Sequence, residues 1–166
     1  ILCFRAEEAW QARVKNSEDS VHLKTFIDIP KEWNNKELAQ KWDLIRDVRR
    51  VVTGALELER AEKRIGSSLQ AKPTVYLTSD AMAALEGMDA ADIFITSGVT
   101  LIESEPPTDS FVLEDVTGVG GVQGSAEGVK CERCWKILPE VGLNKEPVCN
   151  RCAYSLKFAP LKCVGV

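Results

Sequence analysis

Four cysteines near the end of the printed sequence constrain the fold more than any other feature. Cys131, Cys134, Cys149 and Cys152 follow the spacing C-x2-C-x14-C-x2-C. Each C-x-x-C pair can turn two thiolates toward one point, and two pairs joined by a short loop complete the tetrahedral four-sulfur shell that structural zinc prefers. We therefore predict a zinc knuckle that holds one ion. Because four sulfur ligands leave no open position for a substrate water, we expect this metal to be structural and not catalytic.

Two disulfides, or redox-active or coincidental cysteines, are the alternative interpretation of the same residues. Residues 1–10 lack the basic stretch and apolar run of a secretion signal, and the two remaining cysteines, Cys3 and Cys163, lie far apart in the sequence. A disulfide framework is therefore the weaker interpretation. No segment approaches the roughly 18 uninterrupted apolar residues that spanning a bilayer requires, so we expect a cytoplasmic protein with no membrane partner.

The net charge of -4 is distributed unevenly along the 166 residues. Residues 1–72 carry a formal charge of +2, residues 73–129 carry -10 and residues 130–166 carry +4. This segregation favours basic ends that face a polyanion and a middle that faces solvent or another protein region. Charge runs are equally typical of solvated faces, and the charge pattern alone does not separate the two interpretations.

Hydrophobic periodicity predicts a long amphipathic helix over residues 36–65. Asn34 and Glu37 resemble a capping box at its start, and Gly66 is the expected left-handed stop. A helix of this length must pack along a partner. Residues 7–14 have helical spacing and are one candidate, and we expect the others to precede residue 1, in a longer protein of which this chain is a fragment. The predicted apolar stripe consists of Leu38, Trp42, Ile45, Val48, Val52 and Ala55.

A different pattern follows Pro73 and predicts a small α/β unit. We expect strands over residues 74–78, 92–96, 99–103 and 111–116, a short helix over 80–88, and a flexible glycine-rich connection over 118–128. The predicted fold class is therefore α+β, with long amphipathic helices from a helical-bundle domain. The predicted domains are residues 1–72, the end of that helical domain; residues 73–129, an acidic α/β unit; and residues 130–166, the zinc-binding domain.

Little in the sequence indicates a catalytic site. His22 is the only histidine, and nothing around it resembles a nucleophile elbow, so we interpret it as structural. The spacing of the carboxylates nominates no acid and base pair, and no catalytic residue is predicted. The residues alone favour a binding module.

The cysteine motifs carry a resemblance to a known family. Cys131-Glu-Arg-Cys134-Trp135 and Cys149-Asn-Arg-Cys152 resemble the C-terminal zinc-binding segment of bacterial-type isoleucyl-tRNA synthetases. Upstream, Ala6-Glu-Glu-Ala-Trp10, Ser20-Val-His-Leu23 and residues 42–71 resemble the end of that family's anticodon-binding helical domain. Residues 73–129 resemble the family only weakly.

The resemblance implies a C-terminal fragment of an enzyme that attaches isoleucine to its tRNA. The full-length enzyme uses ATP and Mg2+, and its C-terminal region grips the anticodon stem and loop. The family's ATP signatures, H-I-G-H and K-M-S-K-S, are absent from this sequence. The resemblance therefore implies a tRNA-binding part whose partners are tRNA and the N-terminal catalytic and editing domains of the same polypeptide. We expect the isolated chain to be inactive.

Aromatic and basic residues in two places are candidate tRNA contacts. An indole next to a metal ligand could stack on an unpaired base, although core packing is the alternative for it. The arginines of the two C-x-x-C motifs could bind phosphates, or could offset the charge of the four thiolates. Three further arginines lie on one face of the long helix. The candidates are Trp135, Arg133, Arg151, Arg46, Arg49 and Arg50.

Two other hypotheses stay open on the sequence alone. A free-standing zinc ribbon could bind DNA or another protein. The knuckle could also dock onto its parent enzyme and never meet RNA.

Overall fold

The computed structural model describes residues 2–14, 18–143 and 146–158, and the chain forms two compact units, residues 1–36 and 37–166. The first unit contains helix α1 (Cys3–Arg13) and two 3-10 turns at Val21–Leu23 and Lys31–Trp33. Helix α1 confirms the predicted helix and begins four residues earlier than expected.

Glu7 joins α1 to the turn that follows it. Its carboxylate accepts hydrogen bonds from the Ser20 hydroxyl at 2.8 Å and from the Val21 backbone N–H at 3.0 Å. The amide of Gln11 and then the Ser20 hydroxyl hold the pKa of Glu7 below its usual value. His22 Nε2 lies 4.0 Å from the same carboxylate, and its structural role stays a prediction.

The long helix α2 (Lys36–Ala61) ends four residues before the predicted position. Lys63, and not Gly66, adopts the left-handed conformation at its end, with φ of 59°. The Lys63 N–H donates to the carbonyl of Arg60, and the Arg64 N–H donates to that of Glu59. These two bonds form a Schellman motif, which satisfies carbonyls that the end of the helix leaves unpaired. The expectation of a left-handed Gly66 was wrong.

A four-stranded sheet follows the helix. Its strands are β1 (Thr74–Leu77), β2 (Thr100–Glu103), β3 (Phe111–Leu113) and β4 (Val116–Val122), in the order β2-β1-β4-β3. Strands β1 and β2 are parallel, whereas β4 is antiparallel to both β1 and β3. Helices α3 (Ser79–Leu85) and α4 (Ala90–Phe94) connect β1 to β2, as the crossover between parallel strands requires.

Three predictions within this unit were wrong. Residues 92–96 do not form a strand, because the Asp89 side chain caps α4 by accepting from the Asp92 N–H and the helix ends at Ile95 with φ of 57°. The predicted strand 111–116 is a hairpin in which Leu113 pairs with Val116. The glycine-rich residues 118–128 are no simple connection, since β4 pairs with two other strands.

Close packing between α2 and the sheet explains two glycines, Gly121 of β4 and Gly54 of α2. A Cβ on Gly121 would lie 3.3 Å from Ala55 Cβ, and one on Gly54 would lie 2.4 Å from the Phe111 ring. The buried part of the α2 stripe therefore packs on the sheet, whereas a helical partner was expected. Leu38 and Trp42 remain 48% and 36% exposed, so the first turns of the helix extend beyond this core. The buried apolar residues of α2 are Ile45, Val48, Val51, Val52, Ala55 and Leu56.

The zinc-knuckle segment contains a two-stranded sheet, β5 (Val129–Lys130) and β6 (Ile137–Leu138), followed by helix α5 (Asn150–Phe158). Gly128, with φ of +124°, allows the hairpin to form, because a Cβ there would lie 2.3 Å from the carbonyl carbon of Leu138. Helices and small sheets in one chain confirm the α+β class. The division into domains at residues 72 and 129 stays a prediction. Among the described residues, no helix is both long and apolar enough to cross a membrane.

Candidate metal centre

Four thiols converge at the knuckle, two from each side of its loop. Cys131 and Cys134 lie between β5 and β6, and Cys149 and Cys152 lie at the start of α5. Their sulfur atoms all lie within 4.8 Å of one another, and the Cys134 and Cys149 sulfurs are 3.7 Å apart. Cys131, Cys149 and Cys152 are buried, and Cys134 is half-buried.

This geometry suits zinc. Zn–S bonds of about 2.3 Å in a tetrahedron place the sulfur atoms about 3.8 Å apart, close to the observed separation of Cys134 and Cys149. A disulfide needs about 2.05 Å between sulfurs, and the five described cysteines are all free thiols. The four residues could therefore hold one metal ion in a closed shell, as the spacing predicts.

Backbone hydrogen bonds shape the first C-x-x-C turn. The Trp135 N–H donates to the Cys131 carbonyl at 2.9 Å, and the Cys131 N–H donates to the Lys136 carbonyl at 2.9 Å. The Cys149 N–H donates to Cys131 Sγ at 3.3 Å and so joins the second motif to the first. An N–H directed at sulfur favours the thiolate, which is the form that binds metal.

The pKa values of Cys131 and Cys134 are shifted in opposite directions. Burial works against the Cys131 thiolate, but N–H groups of Cys134, Cys149 and Arg133 lower its pKa to about 6. Burial raises the pKa of Cys134 to about 12, and the neighbouring sulfurs contribute to that rise. Burial also raises the pKa of Cys149. Several thiolates at this separation repel one another, so a cation is needed to ionise them together.

Trp135 projects from the metal turn into solvent. Its side chain is 61% exposed, so core packing does not account for it. Its backbone has φ of 66°, a conformation that bulky residues rarely adopt. Lys130 Nζ lies 5.2 Å from the centre of the indole, within cation–π distance.

The two arginines of the cysteine motifs have different surroundings. Arg133 is exposed and forms no ion pair with any described residue. Arg151 Nη1 donates to Asp92 Oδ2 at 3.0 Å, while its side chain stays 76% exposed. Lys136, which follows Trp135, pairs with the other oxygen of Asp92.

The three candidate arginines of α2 lie far along the chain from the knuckle, and two of them have carboxylate partners. Arg46 pairs with Asp43 at 2.6 Å, and Arg50 pairs with Asp115 at 2.7 Å. Arg49 is exposed and has no ion pair within the described part of the chain. Of this set, Arg49 has the guanidinium most available to an external anion.

Comparison with known proteins assigns both the knuckle and its surroundings. The family described as the zinc finger found in FPG and IleRS matches residues 128–153. Isoleucine-tRNA ligases of Bartonella henselae and Agrobacterium fabrum are 51% and 54% identical to this chain over 143 residues. The enzyme of that name from Bradyrhizobium diazoefficiens is 50% identical over 148 residues.

This chain is homologous to a segment of isoleucine-tRNA ligase. The matches to the Bartonella and Agrobacterium ligases cover 86% of the chain but only 15% of each ligase, which fits a C-terminal fragment as the sequence motifs implied. A match of 143 residues must include the acidic segment 73–129, where the motifs gave only weak resemblance. The suspected relation to isoleucyl-tRNA synthetases is therefore confirmed.

Sequence reasoning missed three residues around the knuckle. Lys130 lies over the indole, Asp92 pairs with Lys136 and Arg151, and the Ser97 hydroxyl accepts the Ile137 N–H at 2.6 Å. Lys130 lies five residues before Trp135, close enough in sequence for a contact between the two side chains to be predicted. Asp92 and Ser97 lie about 40 residues or more before their partners, and no local pattern signals such contacts.

Proposed function

We propose that this chain is the tRNA-binding part of an isoleucine-tRNA ligase and that its knuckle contacts the anticodon region. One observation carries the proposal: Trp135 is exposed and lies in a left-handed conformation next to a metal-ligand candidate. Strained residues that the surrounding structure maintains are concentrated at functional sites. An indole fixed on a stiff turn can stack on an unpaired base at little cost in side-chain entropy.

Zinc has a structural role in this proposal. Cys131, Cys134, Cys149 and Cys152 bind one ion, which fixes the turn that presents Trp135. The close approach of the four sulfurs supports that assignment, as does the zinc-finger family match. When bound, the metal neutralises thiolate charge and contributes folding free energy.

Cationic side chains around the indole supply the sequence-independent part of binding. Arg133 is exposed and has no described ion-pair partner, and Lys130 lies beside the indole, so both can reach phosphate oxygens. Arg151 keeps donors that its single bond to Asp92 does not use. On α2, Arg49 is the strongest candidate, while Arg46 and Arg50 would have to share their carboxylate partners with a phosphate.

In this proposal, the complete ligase attaches isoleucine to tRNA. Its catalytic and editing domains would bind ATP and Mg2+, and this chain alone would be inactive. The relatives share the name isoleucine-tRNA ligase, and the chain covers about 15% of the length of each. Such an enzyme would act in the cytoplasm, where tRNA is charged.

Replacement of the indole tests the proposal. In the complete ligase, Trp135→Ala should weaken tRNA binding by about 1–3 kcal/mol, the range for loss of one base–aromatic stack, and leave isoleucine activation unchanged. Filter binding with isoleucine tRNA and ATP–pyrophosphate exchange measure the two quantities. Leu143→Ala is the matched control, because Leu143 is an exposed apolar residue of the same segment at 81% exposure.

Two outcomes separate the proposal from its alternatives, and a third measurement tests the phosphate contact of Arg133. Unchanged tRNA affinity in a Trp135→Ala enzyme that still holds zinc would contradict RNA contact and favour a knuckle that docks only within its own protein. Tighter binding to duplex DNA than to tRNA would favour a zinc ribbon. If Arg133 binds a phosphate, Arg133→Ala should reduce the slope of log affinity against log salt by about one unit.

A further inference from the structure

One carboxylate connects the two halves of the cysteine cluster to the α/β unit. Asp92 lies in α4, where Oδ1 accepts from Lys136 Nζ and Oδ2 accepts from Arg151 Nη1 at 3.0 Å. Lys136 lies two residues after Cys134, and Arg151 directly precedes Cys152. One cation within the second C-x-x-C motif and one just after the first motif are therefore bound to the same acidic side chain.

The Lys136 side of this contact is mostly buried, whereas the Asp92 and Arg151 side chains remain exposed. The Lys136 side chain is only 16% exposed and that of Asp92 is 39% exposed. Exposed pairs contribute little because water and salt screen them, whereas partly buried pairs are screened less. The hydrogen bond from Lys136, above all, holds the pKa of Asp92 below its usual value.

A neutral contact lies next to the charged one. Ser97, which is 6% exposed, accepts from the Ile137 N–H at 2.6 Å and donates to the Leu69 carbonyl at 2.5 Å. Ile137 begins β6, the strand that follows the Trp135 turn. The hydroxyl therefore joins the knuckle to backbone just before the sheet.

We propose that Asp92 is a positioning residue that, together with Ser97, fixes the knuckle on the α/β unit and so orients Trp135 toward RNA. The docking contact stands on geometry alone, and its consequence for RNA rests on the proposed function. Lys136 and Ile137 immediately follow Trp135, so their attachment determines the direction in which that turn faces. Asp92 also accepts a hydrogen bond from one N–H group of Arg151, whose side chain stays 76% exposed.

Amide exchange tests the docking without RNA. In the zinc-loaded full chain, Asp92→Asn should speed hydrogen exchange at the Ile137 amide about five- to tenfold, the size expected for a hydrogen bond of ordinary strength becoming transient. Asp92 is not bonded to that amide, so faster exchange reports a loosened knuckle. Zinc content and exchange at Val75 in β1 should not change. Asp80→Asn is the matched control, since Asp80 is exposed in the first turn of α3 and has no ion pair in the described ranges.

The sign of the effect on tRNA separates positioning from simple electrostatics. Asp92→Asn removes a negative charge near the proposed interface, so Coulomb attraction alone would make tRNA bind more tightly. Positioning instead requires weaker binding, by about three- to tenfold, which corresponds to about 0.7–1.4 kcal/mol and lies within the roughly 0.5–2 kcal/mol typical of indirect coupling. Ser97→Ala changes no charge and should weaken binding in the same direction.

Each result has a separate meaning. Unchanged exchange at Ile137 in Asp92→Asn would overturn the docking role, whatever the RNA result. Faster exchange with unchanged or tighter tRNA binding would overturn the orienting role. If Asp92→Asn loosens the knuckle while Trp135→Ala leaves tRNA affinity unaltered, the proposed function fails and the docking contact stands.

Discussion

Two regions within residues 37–166 keep their folds by different means. The α2 helix and the four-stranded sheet share a hydrophobic core of Ile, Val, Leu, Ala and Phe side chains. Among the described residues of the knuckle, the buried cluster consists of Val141, Val148 and three of the cysteines, with Leu138 and Ala153 partly buried against it. One region is stabilised by removal of apolar surface from water, and the other, on our proposal, by metal ligation.

The difference shows what a metal centre permits. A segment with so few buried apolar residues cannot form a stable core alone. On our proposal, ligation replaces that core and leaves the surrounding side chains free to serve as surface. Trp135 and Leu143, at 61% and 81% exposure, are apolar residues that the knuckle does not bury.

Removal of zinc should produce the largest effect and should affect one region only. Structural zinc contributes about 10–16 kcal/mol of apparent free energy in zinc-finger peptides, so a strong chelator should unfold residues 129–158. The α2 helix and β1 should keep their slow amide exchange. Amide hydrogen exchange of the zinc-free and zinc-loaded chains, measured by mass spectrometry, tests this expectation. Simultaneous loss of protection in Val75 and the knuckle would show that the two regions are one cooperative unit.

Truncation in the apolar core should give the converse result. Phe94 is 1% exposed, and Phe94→Ala should lower the free energy of unfolding of the α2–sheet core by about 3–5 kcal/mol. Chemical denaturation followed by circular dichroism measures the change. Val112→Ala, at a position 51% exposed on β3, is the control and should have little effect. A large loss of zinc affinity in Phe94→Ala would contradict the separation of the two regions.

The sequence predicted the knuckle better than the sheet for a physical reason. Metal ligation requires particular residues at particular spacings, so Cys131 to Cys152 identify it locally. Strand β4 depends on neighbours instead: Gly121 pairs with Val75 and Phe111 in the sheet, and its missing side chain allows Ala55 of α2 to approach. A run of glycines without that partner is typical of a linker, which explains the wrong prediction.

Contacts between distant segments were the second kind of information that the sequence did not contain. Asp92 was one of many carboxylates in the acidic segment, and nothing near it in sequence marks it as the partner of Lys136 and Arg151. The same limit applied to Arg50, whose partner Asp115 lies 65 residues away. Candidate phosphate contacts could be named from the sequence, but their ion-pair partners required the fold.

The smallest predicted effect concerns the backbone of Trp135, and it sharpens the comparison most directly. At φ of 66° any residue with a Cβ is strained, by roughly 1–2 kcal/mol, whereas glycine is not. Trp135→Ala and Trp135→Gly both remove the indole and its contact with Lys130. The difference between them therefore reports the relief of that strain, reduced by the roughly 0.5–1 kcal/mol of extra chain entropy that glycine loses on folding. We expect the glycine variant to retain zinc against a competing chelator more strongly than the alanine variant, by about 1 kcal/mol, while both bind tRNA equally weakly. Equal zinc retention would show that the strain does not exceed the entropy that glycine loses on folding. Restoration of tRNA binding by glycine would show that backbone shape, and not the indole, contacts RNA. A gain in metal retention without a gain in RNA binding would mean that the knuckle loses stability by presenting its tryptophan. No such loss is expected in the apolar core, whose side chains are buried.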